Sequence, residues 1–147
     1  MPYDPRIVQP MREELTSIGI NELLTPEDVE QFMSDTSGLS MLIVNSVCGC
    51  AAGSARPGIS LALQHPVKPV RVATVFAGQD LEATAKARTY FPDIPPSSPS
   101  IVLLKDGGVV HFVPRHMIEG RDPQGVAEQL TSVFDKFTSE TSSSQAG

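Results

Sequence analysis

Apolar residues recur at two different spacings along the chain, and each spacing predicts a different kind of element. Between residues 6 and 18 they return at every third or fourth position, which is the pattern of an amphipathic helix with one buried side. The sequence Thr25-Pro26-Glu27-Asp28 supplies a capping side chain, a first-turn proline and an acid three positions on, so a second helix should begin there. The same reasoning predicts five helices, over residues 6–18, 26–33, 51–63, 79–90 and 123–137. The third of them should be interrupted near Pro57.

Shorter, continuous apolar runs that are rich in β-branched residues predict strands. Residues 40–46 do not alternate between apolar and polar, which is typical of a strand buried on both faces. Further strands are predicted over 68–77, 101–104 and 109–113, and the last two are joined by the tight-turn sequence Lys105-Asp106-Gly107-Gly108. A helix joins the first two strands, which should therefore be parallel, whereas the hairpin is antiparallel. The order predicts an α/β fold with a central mixed sheet flanked by helices, plus an extra helical segment at the N-terminus.

Composition narrows the class of protein and the kind of partner. The 147 residues, 40% of them hydrophobic, suit one domain with its own core, which we expect over 1–138, followed by a disordered, Ser-rich tail over 139–147. The net charge of −6 argues against a nucleic-acid partner. Apolar runs are far shorter than the roughly 20 residues that cross a bilayer, and no secretory signal is visible. We therefore expect a cytoplasmic protein with no membrane partner.

The candidate chemistry lies in Cys48 and Cys50, the two cysteines of the chain. Residues two apart in a helix point to different sides, so a bond between them requires a junction, here between the strand ending near Ser46 and the following helix. Gly49 permits the unusual backbone angles that so small a ring would need. Because a helix N-terminus favours thiolate over thiol, Cys48 is predicted as the attacking thiolate and Cys50 as the resolving thiol.

Two other interpretations of the cysteines remain open from the residues alone. Free cysteines are often buried and then behave as small hydrophobic residues. A zinc site would have to combine Cys48 and Cys50 with two of the three histidines, which are His65, His111 and His116. The spacing does not suit such a site, so no metal ligand is predicted. Redox chemistry is favoured because the pair brackets a glycine between a strand and a helix.

Several longer stretches resemble known families. Residues 98–107, Ser-Pro-Ser-Ile-Val-Leu-Leu-Lys-Asp-Gly, resemble the cis-proline strand and turn of thioredoxins, which implies that Pro99 is cis despite the general preference for trans. Residues 44–51, 56–57, 76–80 and 111–116 read Val-Asn-Ser-Val-Cys-Gly-Cys-Ala, Arg-Pro, Phe-Ala-Gly-Gln-Asp and His-Phe-Val-Pro-Arg-His. With these motifs the chain resembles the bacilliredoxin family along nearly its whole length.

The resemblance implies a bacterial, cytoplasmic thiol–disulfide oxidoreductase with a thioredoxin-like fold. It implies that the protein removes bacillithiol from S-bacillithiolated client proteins, and disulfide isomerase activity has also been attributed to the family. Cys48 and Cys50 map onto the redox pair, and Pro99 and Gly49 are expected to help position the substrate. Bacillithiol is then a thiol cosubstrate and no cofactor is expected. The implied partners are the client proteins, a low-molecular-weight thiol and an unidentified reductase.

The chain also departs from ordinary thioredoxins. Val47 stands where they have a tryptophan before the first cysteine, and one residue instead of two separates the cysteines. Both departures argue against coupling to a general thioredoxin reductase. A non-catalytic redox sensor or interaction module, in which the cysteine pair switches a binding surface, is the alternative from a different class.

Overall fold

The computed structural model describes the backbone of residues 3–146 and the side chains of residues 3–138. Its centre is a five-stranded mixed sheet in the order β1-β3-β2-β4-β5. β1, β3 and β2 are parallel, β4 runs antiparallel to β2, and β5 runs antiparallel to β4. The mixed sheet confirms the predicted fold class. The strands are β1 (Asn21–Glu22), β2 (Leu39–Asn45), β3 (Arg71–Phe76), β4 (Ser100–Lys105) and β5 (Gly108–Val113).

Helices cover both faces of this sheet, and most begin where the sequence predicts. Thr25 caps α2 in a reciprocal capping box with Asp28, and Pro26 occupies the first turn. The predicted helix over 51–63 is instead a π-helical turn, Ala51–Ala55, that continues into α3 at Arg56, so the break near Pro57 is confirmed. The helices are α1 (Pro5–Thr16), α2 (Pro26–Ser34), α3 (Arg56–Ala62), α4 (Leu81–Thr89) and α5 (Pro123–Ala146), with a 3₁₀ turn at Arg115–Met117.

The predicted tail overlaps the end of α5, whose bounds run to Ala146. Side chains from residue 139 onward, and residue 147 altogether, lie outside the described part of the chain. The disorder of 139–147 therefore stays a prediction. No helix within the described residues is long and apolar enough to cross a membrane.

Strand β2 lies at the centre of the sheet and contributes to two separate cores. Met41 and Ile43 pack with residues of α1, α3 and α5 on one face. Leu42 and Val44 pack with residues of α2 and α4 on the other face. All seven residues of β2 are buried, which confirms the prediction of a strand covered on both sides. This strand is therefore a rigid base for the residues that follow it.

The hairpin between β4 and β5 also has the predicted geometry. Lys105 pairs with Gly108, which leaves a two-residue loop in which Asp106 and Gly107 have φ values of 50° and 90°. Positive φ at both loop positions is the signature of a type I′ turn, for which Asp-Gly is a favoured sequence. The hairpin returns the chain along β5 to the end of the sheet at which β2 leads into the cysteines.

Two features were not predicted. β1 is a two-residue strand at the edge of the sheet, too short and too polar for a pattern of apolar residues to reveal it. Asp80 lies at the N-cap of α4, two positions into the predicted helix over 79–90, but its side chain makes no capping hydrogen bond. Its carboxylate instead pairs with Arg12 of α1 at 2.8 Å, and Arg12 also pairs with Glu22 of β1 at 2.9 Å. These contacts attach the N-terminal helix to the sheet.

Candidate active site

Cys48 lies at the junction between β2 and the helix that follows it. β2 ends at Asn45, Gly49 and Cys50 are already helical, and the Cys48 carbonyl accepts hydrogen bonds from the N–H groups of Ala51 at 2.9 Å and Ala52 at 3.3 Å. Cys48 is therefore the N-cap residue of this helix. The two sulfur atoms are 2.8 Å apart and both thiols are free, so the structure shows the dithiol form. The predicted position of the pair at a strand–helix junction is confirmed.

The two thiols have opposite pKa shifts. The pKa of Cys48 is lowered because the Cys50 thiol donates a hydrogen bond to it; burial opposes this effect, and the backbone N–H groups of Cys50 and Ala51 and the charge of Arg115 add to it. The pKa of Cys50 is raised by burial and by its neighbour Cys48. Cys50 also packs against the hydrophobic core beneath the helix. Cys48 is therefore the better thiolate of the two.

A series of hydrogen bonds supports residues 46–48, which we call the cysteine loop. The backbone N–H of Cys48 donates to Ser46 Oγ at 2.9 Å, and the backbone N–H of Ser46 donates to Asn45 Oδ1 at 2.8 Å. Arg56 of α3, whose side chain is only 2% exposed, donates to Asn45 Oδ1 at 3.0 Å and to the Ser46 carbonyl at 2.9 Å. Its Nε lies 3.1 Å from a carboxylate oxygen of Glu14 in α1. Arg56 thus holds the strand end, the loop and the helix together.

Pro99 lies beside the end of β2. The Ser98–Pro99 peptide bond is cis, as the resemblance to thioredoxins implies, and Pro99 is buried. Ser100 pairs with Val44 in the antiparallel ladder, so residue 99 is one position beyond that pair, next to the strand end that leads to Cys48. The structure thus brings the segment before β4 to the same end of the sheet as the cysteines.

Arg115 is a residue of this site that sequence reasoning did not single out. It opens the 3₁₀ turn after β5, where its backbone N–H donates to Ser97 Oγ at 2.8 Å and its Nε contacts Glu119 at 2.5 Å. Its positive charge lowers the pKa of both thiols, while the charge of Glu119 raises the pKa of Cys50. Arg115 belongs to the motif over 111–116, which is one of the stretches that resemble the bacilliredoxin family. That motif is the signal in the sequence that could have pointed to Arg115 as a site residue.

The other residues considered from the sequence have different positions. Gly49 has no positive φ in this dithiol form, and open space surrounds the point where a Cβ would lie, so the unusual angles expected for the closed ring stay a prediction. His65 contacts Asp135 of α5 at 2.8 Å, and His111 and His116 lie on β5 and in the 3₁₀ turn. Within the described part of the chain, no three His, Cys, Asp or Glu residues form a group that could hold a metal ion.

Comparison with solved structures defines the class of protein first. A thioredoxin from Fasciola hepatica superposes with a TM-score of 0.55 at 22% identity, covering 80% of this chain and 99% of the other. Thioredoxin O2 from Arabidopsis thaliana gives 0.53 at 18% identity, covering 80% of this chain and 92% of the other. These values establish a thioredoxin-like fold, as predicted.

Sequence comparison then gives the family. The family described as Disulphide isomerase matches residues 3–138. A bacilliredoxin from Geobacillus kaustophilus is 54% identical over 92% of this chain and 94% of its own length. A bacilliredoxin from Cytophaga hutchinsonii is 52% identical over 92% of this chain and 99% of its own length. The chain belongs to this family of bacilliredoxins, and the family together with the fold supports a thiol redox role.

Proposed function

We propose that the protein is a thiol–disulfide oxidoreductase that removes bacillithiol from S-bacillithiolated proteins through Cys48 and Cys50. The observation that carries this proposal is the pair of free thiols, 2.8 Å apart at a helix N-terminus and shifted in opposite directions in pKa. One thiol is prepared to attack as a thiolate, and the other remains protonated beside it. The names of the relatives point to the same thiol substrate.

In the first step, the Cys48 thiolate attacks the bacillithiol sulfur of the mixed disulfide. A new bond forms between Cys48 and that sulfur, the bond to the client sulfur breaks, and the client leaves as a thiolate that takes up a proton. No net oxidation occurs, because one disulfide replaces another. The Cys50 thiol favours this step by donating to the attacking thiolate, and the N–H groups of Cys50 and Ala51 and the charge of Arg115 add to that stabilisation.

In the second step, Cys50 attacks the sulfur of Cys48 and displaces bacillithiol. Burial raises the pKa of Cys50, and Cys48 raises it further through its hydrogen bond and its charge. The two influences of Cys48 disappear once Cys48 is bound in a mixed disulfide. Cys50 therefore loses its proton more readily after the first step than before it. The products are a Cys48–Cys50 disulfide and a free thiol, so the mixed disulfide has gained two electrons. A further thiol or an unidentified reductase returns the pair to the dithiol.

Pro99 and Gly49 are proposed to position the substrate beside the thiolate. Pro99 is supported by its cis peptide bond and by its place next to the strand end that leads to Cys48. Gly49 is supported by the open space around it, which leaves room for a substrate backbone. We also propose that the reaction takes place in a bacterial cytoplasm and needs no cofactor other than the thiol cosubstrate.

The test is a gel and mass-spectrometric assay of wild type, Cys48→Ser and Cys50→Ser with a bacillithiolated client. Wild type should release the client over many turnovers, and Cys48→Ser should be inactive. Cys50→Ser should complete the first step and accumulate the mixed disulfide on Cys48. A glutathionylated client serves as the comparison substrate for thiol specificity. Equal loss of the first step in both variants would show that the assigned roles are wrong.

Disulfide isomerase activity is the second candidate, and the description of the matching family favours it. It is measured with a scrambled disulfide protein, whose refolding would be accelerated without any added mixed disulfide. A redox sensor would give a third result. Oxidation of the pair would then change affinity for a partner, while neither substrate would be turned over.

A further inference from the structure

A pocket of about 470 Å³ opens on the cysteine side of the sheet, between the segment before Pro99 and the turn after β5. Ser97 and Ser98 line one side, and Arg115 and His116 line the other. Arg88, from the last turn of α4, also lines it. We call this space the anion pocket. Two hydrogen bonds fix its walls: Arg115 N–H donates to Ser97 Oγ at 2.8 Å, and the Ser100 hydroxyl donates to the Ser97 carbonyl at 2.9 Å.

The anion pocket is positive although the chain as a whole carries a net charge of −6. Two guanidinium groups line it, Arg88 and Arg115, against the single carboxylate of Glu119. Among the described residues, no carboxylate lies within salt-bridge distance of Arg88. Arg115 contacts Glu119 only through Nε, which leaves the terminal nitrogens of its guanidinium as donors.

The pocket shares Arg115 with the surroundings of the reactive sulfurs. The charge of Arg115 is close enough to Cys48 and Cys50 to act on both thiols. The other wall leads directly into Pro99, beside the strand end that carries Cys48. A molecule held between Arg88 and Arg115 therefore lies at the same end of the sheet as the reactive sulfurs. Arginine suits an oxyanion ligand such as a carboxylate, because its planar guanidinium donates two parallel hydrogen bonds to a carboxylate, as it does to a phosphate.

We propose that the anion pocket binds carboxylate groups of the low-molecular-weight thiol in the mixed disulfide, and that Arg88 is the residue that selects for them. This inference rests on the proposed function, since it assigns the part of the site that recognises the thiol half of the substrate. Arg115 acts on both the thiolate and the ligand, whereas Arg88 makes no hydrogen bond to either cysteine in the described part of the chain. Arg88 is therefore the residue that separates ligand selection from thiolate activation.

The experiment uses one single-cysteine client protein carrying either mercaptosuccinate, which has two carboxylates, or mercaptoethanol, which has none. The ratio of kcat/KM for the two mixed disulfides is measured in wild type, Arg88→Gln and the matched control Arg6→Gln. Arg6 is an 88% exposed arginine of α1 outside the pocket, so its substitution makes the same change in net charge. We expect the ratio to fall roughly 3- to 10-fold in Arg88→Gln and to keep its wild-type value in Arg6→Gln. Raising NaCl to about 0.5 M should reduce the wild-type ratio, because salt screens a partly exposed charge pair.

A second measurement does not depend on turnover or on the folding of a variant. Succinate is titrated into the wild-type dithiol protein while backbone amide shifts are followed by NMR, and saturable shifts are expected at Ser97, Ser98 and Arg115. An unchanged kcat/KM ratio in Arg88→Gln, together with no succinate shifts at these residues, would overturn the anion pocket. Succinate binding there without turnover of either mixed disulfide would instead leave the pocket standing and refute the proposed function.

Discussion

The buried guanidinium of Arg56 allows a direct test of how the cysteine loop is held. Arg56→Met keeps an apolar stem but removes the donors to Asn45 Oδ1 and to the Ser46 carbonyl. Asn45 Oδ1 still accepts the Ser46 N–H, whereas the Ser46 carbonyl loses the one donor it has among the described residues. An unsatisfied buried polar group costs about 1–3 kcal/mol and a hydrogen bond to a charged group contributes about 1.5–3 kcal/mol. The substitution also removes the cost of burying a charged group, which offsets part of these losses. We therefore expect the free energy of unfolding to fall by about 2–4 kcal/mol.

Urea denaturation measures this loss as a lower midpoint at an unchanged m-value. Arg56→Lys retains the charge but cannot donate to both acceptors at once, so its loss should be intermediate. Glu14→Gln is the matched control on the other side of the ion pair. The Glu14 side chain is 46% exposed, and pairs of that kind contribute about 0–1 kcal/mol, so its effect should be the smallest of the three.

The second readout is the rate at which iodoacetamide alkylates Cys48. Ser46 Oγ accepts the Cys48 N–H, so a displaced Ser46 should disturb the loop and slow alkylation near neutral pH. Wild-type stability and an unchanged alkylation profile in Arg56→Met would contradict this prediction, because the loop would then be held without the guanidinium. Lower stability with an unchanged profile would restrict Arg56 to a role in folding.

Three further predictions follow from particular contacts. Gly58→Ala should destabilise the protein by about 1–3 kcal/mol in urea denaturation, because the new Cβ would lie 2.6 Å from a side-chain carbon of α5; Gly53→Ala, with nothing within 4 Å, is the control and should be near neutral. Ser46→Ala should cost about 0.5–1.5 kcal/mol and speed hydrogen exchange at the Cys48 amide, and unchanged exchange would contradict it. The midpoint of Cys48 alkylation against pH should lie below that of an ordinary thiol, since a lowered pKa exposes the thiolate at lower pH. Cys50→Ala removes the main donor and should raise that midpoint; an equal midpoint in wild type and variant would show that the hydrogen bond does not lower the pKa.

Much of the fold could be predicted from local patterns. Residues 40–46 predicted a doubly buried strand, and β2 occupies Leu39–Asn45 with every residue buried. The motif Lys105-Asp106-Gly107-Gly108 predicted a hairpin, and its two central residues take the positive φ values that the turn needs. Such signals act over a few neighbouring residues, so they can be recognised without knowing the rest of the chain. The edge strand β1 has no such signal, because its pairing with β3 is made across a distance of about 50 residues in sequence.

The position of the candidate chemistry follows from the residues alone: two cysteines stand around a glycine, between a buried strand and a helix, with Cys48 at the N-terminal position. Backbone geometry at a helix start depends on local residues, so this part was predictable. The surroundings of the sulfurs, in contrast, depend on how distant segments pack together. This packing brings Arg56 beneath the loop, Arg115 beside the thiols from the far end of β5, and Arg88 into the anion pocket from α4. These residues approach through sheet pairing and helix packing, which join segments that are 8 to 67 positions from Cys48, and no local pattern specifies such contacts.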